Sequence, residues 1–157
     1  MRMAAPIGPY TPVVRAGDWI IVSGQLGLRD GSLVEGGVKA QTTQAIVNLR
    51  AHLESVGAKL SDVAKTLCFL TDMDTFPTFN ESYVAGFGSH RPARSTIGVA
   101  SLPAGGAVEI EAWAYVPVAK LATKSVATKS TAAKSGAAKP AAAKSAATKP
   151  VAKRKKK

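Results

Sequence analysis

The composition of the chain breaks at Pro117, and that break limits how much of the sequence can build a core. Residues 120–157 read KLATKSVATKSTAAKSGAAKPAAAKSAATKPVAKRKKK, with no aromatic and no acidic residue. They hold twelve of the 21 Lys and Arg, so the formal net charge of +11 belongs to this segment. Residues 1–119 carry nine basic side chains against ten acidic ones and are close to neutral. A stretch of this kind cannot bury enough apolar surface to offset the entropy of ordering, and the reading for 118–157 is a disordered basic tail. Its lysines at 124, 129, 134, 139, 144 and 149 recur every five residues. That step turns about 140° around an α-helix, so they share no face, which argues against an amphipathic membrane helix.

Folding therefore rests on residues 1–117, a length suited to one domain with one core. A body this small gains from sharing surface with identical copies. The lone cysteine, Cys68, lies in the apolar run LCFL and is expected to be a small buried hydrophobe. It cannot form a disulfide within the chain, and neither His52 nor His90 has a second ligand at metal spacing, so no metal site is expected. No phosphate-cradle pattern of the GxGxxG or GxxxxGK[ST] type occurs. The opening MRMAAPIGPY has no signal-like apolar core, and no run approaches about 18 apolar residues, so the expected setting is soluble and cytoplasmic.

Patterning within the body alternates between strand and helix. VVRAGDWIIVSG reads as a hairpin, with Val13–Arg15 and Trp19–Ser23 flanking an Ala16-Gly17-Asp18 turn. A glycine-containing loop through Asp30-Gly31 and Gly36-Gly37 leads to a helix over about 38–56. There Ile46, Leu49, Leu53 and Val56 recur at steps of three and four, and Gly57 is placed to end it. A strand follows at Val63–Leu70, a helix at Phe76–Phe87, and strands at Arg94–Val99 and Val108–Tyr115. The order β-β-α-β-α-β-β predicts an α+β fold with two helices on one face of a mixed sheet.

Alternation in the last two strands separates two sets of residues. Ser95, Ile97 and Val99 fall on one side and Arg94, Thr96 and Gly98 on the other. In the final strand Val108, Ile110, Ala112 and Ala114 oppose Glu109, Glu111 and Trp113. With the apolar rows turned to the helices, Arg94, Thr96, Glu109 and Glu111 would share the remaining face. Two readings of such a row stay open: a solvated face with structural ion pairs, or a cleft completed by another subunit. In the second, the planar fork of Arg94 grips a carboxylate and a partly desolvated glutamate handles protons. Arg91, held before the strand by Pro92, reads as a surface or interface residue.

The segments PIGPYTPVVRAGDWIIVSGQ, GGVKAQTTQAIVNLRAHL, FLTDMDTFPTFNESY and RPARSTIGVASLP with VEIEAWA resemble the Rid family, also called the YjgF family. The likeness runs over about residues 5–117, and the pairing of PARS with EIEA is its most specific part. It is closest to the RidA-like enamine/imine deaminases. The resemblance implies a homotrimer of chorismate-mutase-like fold with ligand clefts between subunits and no metal or organic cofactor. The implied substrates are 2-aminoacrylate, 2-iminopropanoate and 2-iminobutanoate, hydrolysed to 2-oxo acids and ammonia. It further implies that Arg94 binds the substrate carboxylate and Glu109 activates water. Tyr10, Ser23, Gly24, Asn80 and Thr96 would contact the ligand; Thr96 stands where many members have cysteine. Chorismate mutase shares the fold but not these motifs.

The tail suggests a polyanion partner. Lys124, Lys129, Lys134, Lys139, Lys144, Lys149, Lys153, Arg154, Lys155, Lys156 and Lys157 could neutralise phosphates on DNA or RNA without base readout, which would make the protein nucleoid-associated. A solvating tail without a partner is the alternative. For the whole chain, the alternative to a deaminase is a non-catalytic metabolite-sensing or nucleic-acid-binding Rid-like protein.

Overall fold

The structure, a computed structural model, describes residues 7–118. The basic tail and the lysines assigned to nucleic acid lie, from residue 119 onward, outside the described residues. Strands β1 (Val13–Ala16) and β2 (Trp19–Leu26) form the first hairpin. A two-residue pair, β3 (Leu28–Arg29) and β4 (Ser32–Leu33), follows where a loop was expected. Its turn has Asp30 at φ 51° and Gly31 at φ 85°, the two left-handed positions of a type I′ hairpin. Then come helix α1 (Gly37–Ser55), β5 (Val63–Leu70), helix α2 (Phe76–Phe87), β6 (Ala93–Gly98) and β7 (Val108–Tyr115).

The main sheet has the order β1-β2-β7-β5-β6. All neighbours are antiparallel except β5 and β6, the pair bridged by α2. Both helices lie on one face, so the α+β expectation with a mixed sheet holds. None of the described helices is long and apolar enough to cross a membrane. The buried stripe of α1, Val38, Ala45, Ile46, Leu49 and Leu53, meets Ile20 and Val22 of β2 and Ile110, Ala112 and Ala114 of β7. The helix stops where Gly57 enters the left-handed region at φ 80°. Gly57 N–H then donates to Glu54 O and Ala58 N–H to Leu53 O, which satisfies the last carbonyls.

One expectation about faces is overturned at β6. Parallel pairing sets Arg94 beside Thr66 and Thr96 beside Cys68, and Thr66, Cys68 and Leu70 are the buried, helix-facing residues of β5. Arg94 and Thr96 therefore lie on the covered side, while Ser95 and Ile97 are exposed on the open side. In β7 the expected assignment holds: Val108, Ile110, Ala112 and Ala114 face the helices, and Glu109 and Glu111 look away. So Arg94 does not share a face with the two glutamates of its own chain. The physical reason is that α2 offers a guanidinium better partners than water. Its aromatic rings form a platform under Arg94, whereas the open side at Ile97 continues into an apolar surface.

That platform is tied to the sheet by one buried polar contact, Thr66 Oγ1 to Tyr83 OH at 2.7 Å. Burial pushes the Tyr83 hydroxyl up to about 12, so it remains protonated across the physiological range. Replacing either partner alone strands the other polar group in the core. We expect Thr66→Val and Tyr83→Phe each to lower the unfolding free energy by about 1–3 kcal/mol. The double variant should lose less than the sum of the two in urea titrations, because it leaves no orphaned hydroxyl.

Candidate active site

The candidate residues fall into two groups on opposite sides of the sheet. The first is centred on Arg94. Its guanidinium carbon lies 5.6, 5.2 and 4.7 Å from the ring centroids of Phe76, Phe79 and Tyr83. These rings recur at steps of three and four along α2, so one stripe of that helix supplies all three. Each presents a negative π-face to the cation. Arg94 Nη2 also donates to Asn80 Oδ1 at 2.7 Å. The side chain is thereby held half-buried and oriented, with further N–H groups available to a carboxylate. Thr96 sits two residues on, its hydroxyl oxygen buried without a hydrogen-bond partner among the described residues.

The second group surrounds Glu109. In β2 the register slips between Val22 and Gln25, so Ser23 and Gly24 form a bulge against β7. The Glu109 carboxylate occupies the space that a side chain at position 24 would fill: a Cβ there would stand 1.6 Å from Glu109 Oε1. Only glycine permits this approach. Ser23 fastens the chain that precedes β1, its hydroxyl donating to Thr11 O at 2.8 Å and its N–H to Pro12 O at 2.9 Å. That segment carries Tyr10, which lines a pocket of about 360 Å³ together with Gly24 and Glu109. Tyr10, Gly24 and Glu109 are thus brought together, with Ser23 acting through the backbone beside them.

Glu109 is partly buried, and its pKa is raised, first by desolvation and then by repulsion from Glu111. Glu111 accepts a hydrogen bond from its own neighbour Trp113 Nε1 at 2.9 Å. The expected possibility of a Glu111–Arg94 pair is excluded within the chain, since the two lie on opposite faces. Arg91 remains outside β6, as expected, donating to the carbonyls of Gly88 and His90. Cys68 is fully buried, and its thiol is pushed up to about 11 by burial, which makes it a packing residue. Among the described residues, no three His, Cys, Asp or Glu side chains gather as a metal set.

The family model described as Endoribonuclease L-PSP matches residues 1–116, ending beside the compositional break. The chain belongs to the Rid family. A 2-iminobutanoate/2-iminopropanoate deaminase of Mus musculus is 45% identical over 113 residues, covering 71% of this chain and 84% of its own. A RutC family protein of Pyrococcus horikoshii is 41% identical over 112 residues, covering 70% of this chain and 89% of its own. The crystal structure of RidA from an Antarctic Psychrobacter superposes with a TM-score of 0.70 at 40% identity, covering 73% of this chain and 94% of that one.

Within this Rid fold, sequence reasoning missed the aromatic platform of Arg94 and the helix-side wall of the Glu109 pocket. The spacing of Phe76, Phe79 and Tyr83 was the available signal for the platform. Nothing in the sequence places Asn48 and His52 of α1 in one cavity with Glu109, because that depends on where β1 ends.

Because the Glu109 pKa is raised in the folded chain, charging this group opposes folding. The penalty is absent below the ordinary value of 4.5 and is fully present once pH exceeds the raised value. Glu109→Gln should therefore melt at a higher temperature than the wild type at about pH 7.5, with the gain vanishing near about pH 4. Thermal scans at the two pH values check the sign.

Proposed function

We propose that this Rid protein hydrolyses short-lived enamine and imine acids, such as 2-iminopropanoate and 2-iminobutanoate, at sites shared between subunits of a homotrimer. The observation that carries the reading is the opposite-face placement of two prepared groups. Arg94 is oriented by three rings and Asn80, while Glu109 lies desolvated over Gly24 beside a pocket. Neither completes a site alone, so Arg94 of one subunit would serve Glu109 of the next.

Support for assembly comes from the uncovered face of the sheet. Val14, Trp19, Ile97, Trp113 and Tyr115 are all more than two-fifths exposed there, an apolar surface of the kind that mediates association. Packing copies through this face leaves the helices outside and brings the edges of neighbouring sheets together. The names of the deaminase relatives point to the same chemistry.

In this mechanism Arg94 holds the substrate carboxylate through two N–H groups, which fixes the imine carbon near Glu109. Glu109 takes a proton from water as the water oxygen bonds to that carbon of the protonated imine, giving a neutral carbinolamine. It then returns the proton to the nitrogen, and as the C–N bond breaks it takes the hydroxyl proton of the carbinolamine, so that ammonia leaves behind a 2-oxo acid. A carboxylate with a raised pKa suits these proton transfers near neutral pH. Tyr10 and the backbone at Ser23 and Gly24 line the approach, and Thr96 stands beside Arg94.

The charge of residues 120–157 favours a second property, sequence-independent contact with DNA or RNA.

Arg94→Ala and Glu109→Gln should each abolish turnover of freshly generated 2-iminopropanoate while remaining trimeric by light scattering. Mixed and reassembled in equal amounts, the two inactive variants should recover about a quarter of the wild-type rate, the chance that random neighbours supply both intact groups. No recovery would place both groups of a site in one subunit. Separately, the full chain should shift DNA in gels at about 50 mM salt and release it by about 200 mM, while the chain lacking 120–157 should not bind. Equal affinity of the two would remove the tail's role.

A further inference from the structure

The Glu109 pocket has a second polar end that the hydrolysis does not use. Strand β1 pairs with β2 only as far as Val13 and Val22, so the outer edge of β2 beyond that point faces the segment 7–12. The cavity passes this edge. Glu109 lines it from the open side of the sheet, and Asn48 and His52 line it from α1. Between them the wall is mainly apolar, with Ile7, Pro12, Leu26, Leu28 and Pro103.

His52 is 6% exposed. Its Nδ1 is enclosed and has no hydrogen-bond partner among the described residues, and no hydrogen bond to Nε2 is found among them. The neighbouring amide has no N–H left for Nδ1, because both Nδ2 protons of Asn48 are committed. Asn48 Nδ2 donates to Leu26 O and Leu28 O, and its Oδ1 accepts from Gln44. A buried N–H without an acceptor is less tolerable than a buried lone pair, which puts the ring proton on Nε2. Desolvation also lowers the His52 pKa, which favours the neutral ring.

We propose that His52 is a specificity-determining residue: its Nε2–H, at the α1 end of the Glu109 pocket, accepts imino acids whose side chains end in a neutral hydrogen-bond acceptor, above all an amide. The proposal rests on the deaminase reading for the orientation of the ligand. With the carboxylate outward at Arg94 of the adjoining subunit and the imine carbon at Glu109, the side chain runs along the apolar wall toward His52. A carboxylate-ended side chain would bring an uncompensated charge into this largely apolar end of the pocket, and an alkyl-ended one would leave the N–H unpaired.

The test compares isosteric and near-isosteric pairs of imines released in situ from asparagine and leucine, and from glutamine and norleucine. In the wild type the amide-ended member of at least one pair should be preferred by about tenfold in kcat/KM, the size of one net hydrogen bond. His52→Leu should bring that ratio to near unity, and His52→Gln, which keeps an N–H, should restore part of it. Ratios that are the same in wild type and His52→Leu for both pairs overturn the proposal.

A second measurement separates this from the deaminase reading and from any failure of a variant to fold. In the wild-type protein, the His52 ring nitrogens are followed by NMR while the stable 2-oxo acids of the same pairs are added. A shift of Nε2 with the amide-ended acids only, even if no imine is turned over, sustains the His52 contact and condemns the deaminase reading alone. An unchanged His52 signal with every acid overturns the contact, whatever the activity.

Discussion

Two helices can cover only one side of a five-stranded sheet, and much of the architecture follows from that asymmetry. Each strand has a period of two, so every second residue is committed either to the helical layer or to the open side. The covered side takes the aliphatic rows of β2, β5 and β7, and at the edge strand β6 it takes Arg94 instead. The open side keeps the tryptophans, Tyr115 and the two glutamates. The separation of cation from carboxylate within one chain is thus a consequence of the pleat.

Arg94 illustrates how a charged group is made tolerable under a helix. Three ring faces and one amide oxygen replace part of its hydration, and the nearest ring, Tyr83, is itself anchored to β5 through Thr66. The guanidinium is therefore positioned by a chain of contacts that reaches back through Tyr83 to β5. Gly24 plays the corresponding part for Glu109 by removing matter: its missing side chain is the room in which the carboxylate lies.

Much of this was legible in the sequence where a periodic pattern had only one physical solution. The boundaries of β5, α2 and β7 match the reading from periodicity, as do the stripe of α1 and its end at Gly57. The error at β6 came from treating apolar as covered and polar as open, a rule that fails on an edge strand flanked by aromatic rings. The β3–β4 hairpin was signalled by Asp30-Gly31 but hidden by the shortness of its strands. The bulge at Ser23-Gly24 has no local signature, since it exists only in register with β7. For the same reason the sequence raises His52 only as a metal ligand, and rejects it; its surroundings are set by three segments far apart in the chain.

The strand pairing at the middle of the sheet joins the first long strand to the last, Trp19 opposite Tyr115 and Leu26 opposite Glu109. Contacts between such distant segments close a long loop, whose entropic cost is met before they stabilise the fold. During synthesis β2 emerges early yet has no central neighbour until β7 leaves the ribosome, and in that interval its inner edge and the aliphatic face of α1 are uncovered. The Glu109 pocket, which needs β7 beside β2, cannot exist before that point. A nascent chain interrupted before residue 108 would present that uncovered apolar surface to chaperones.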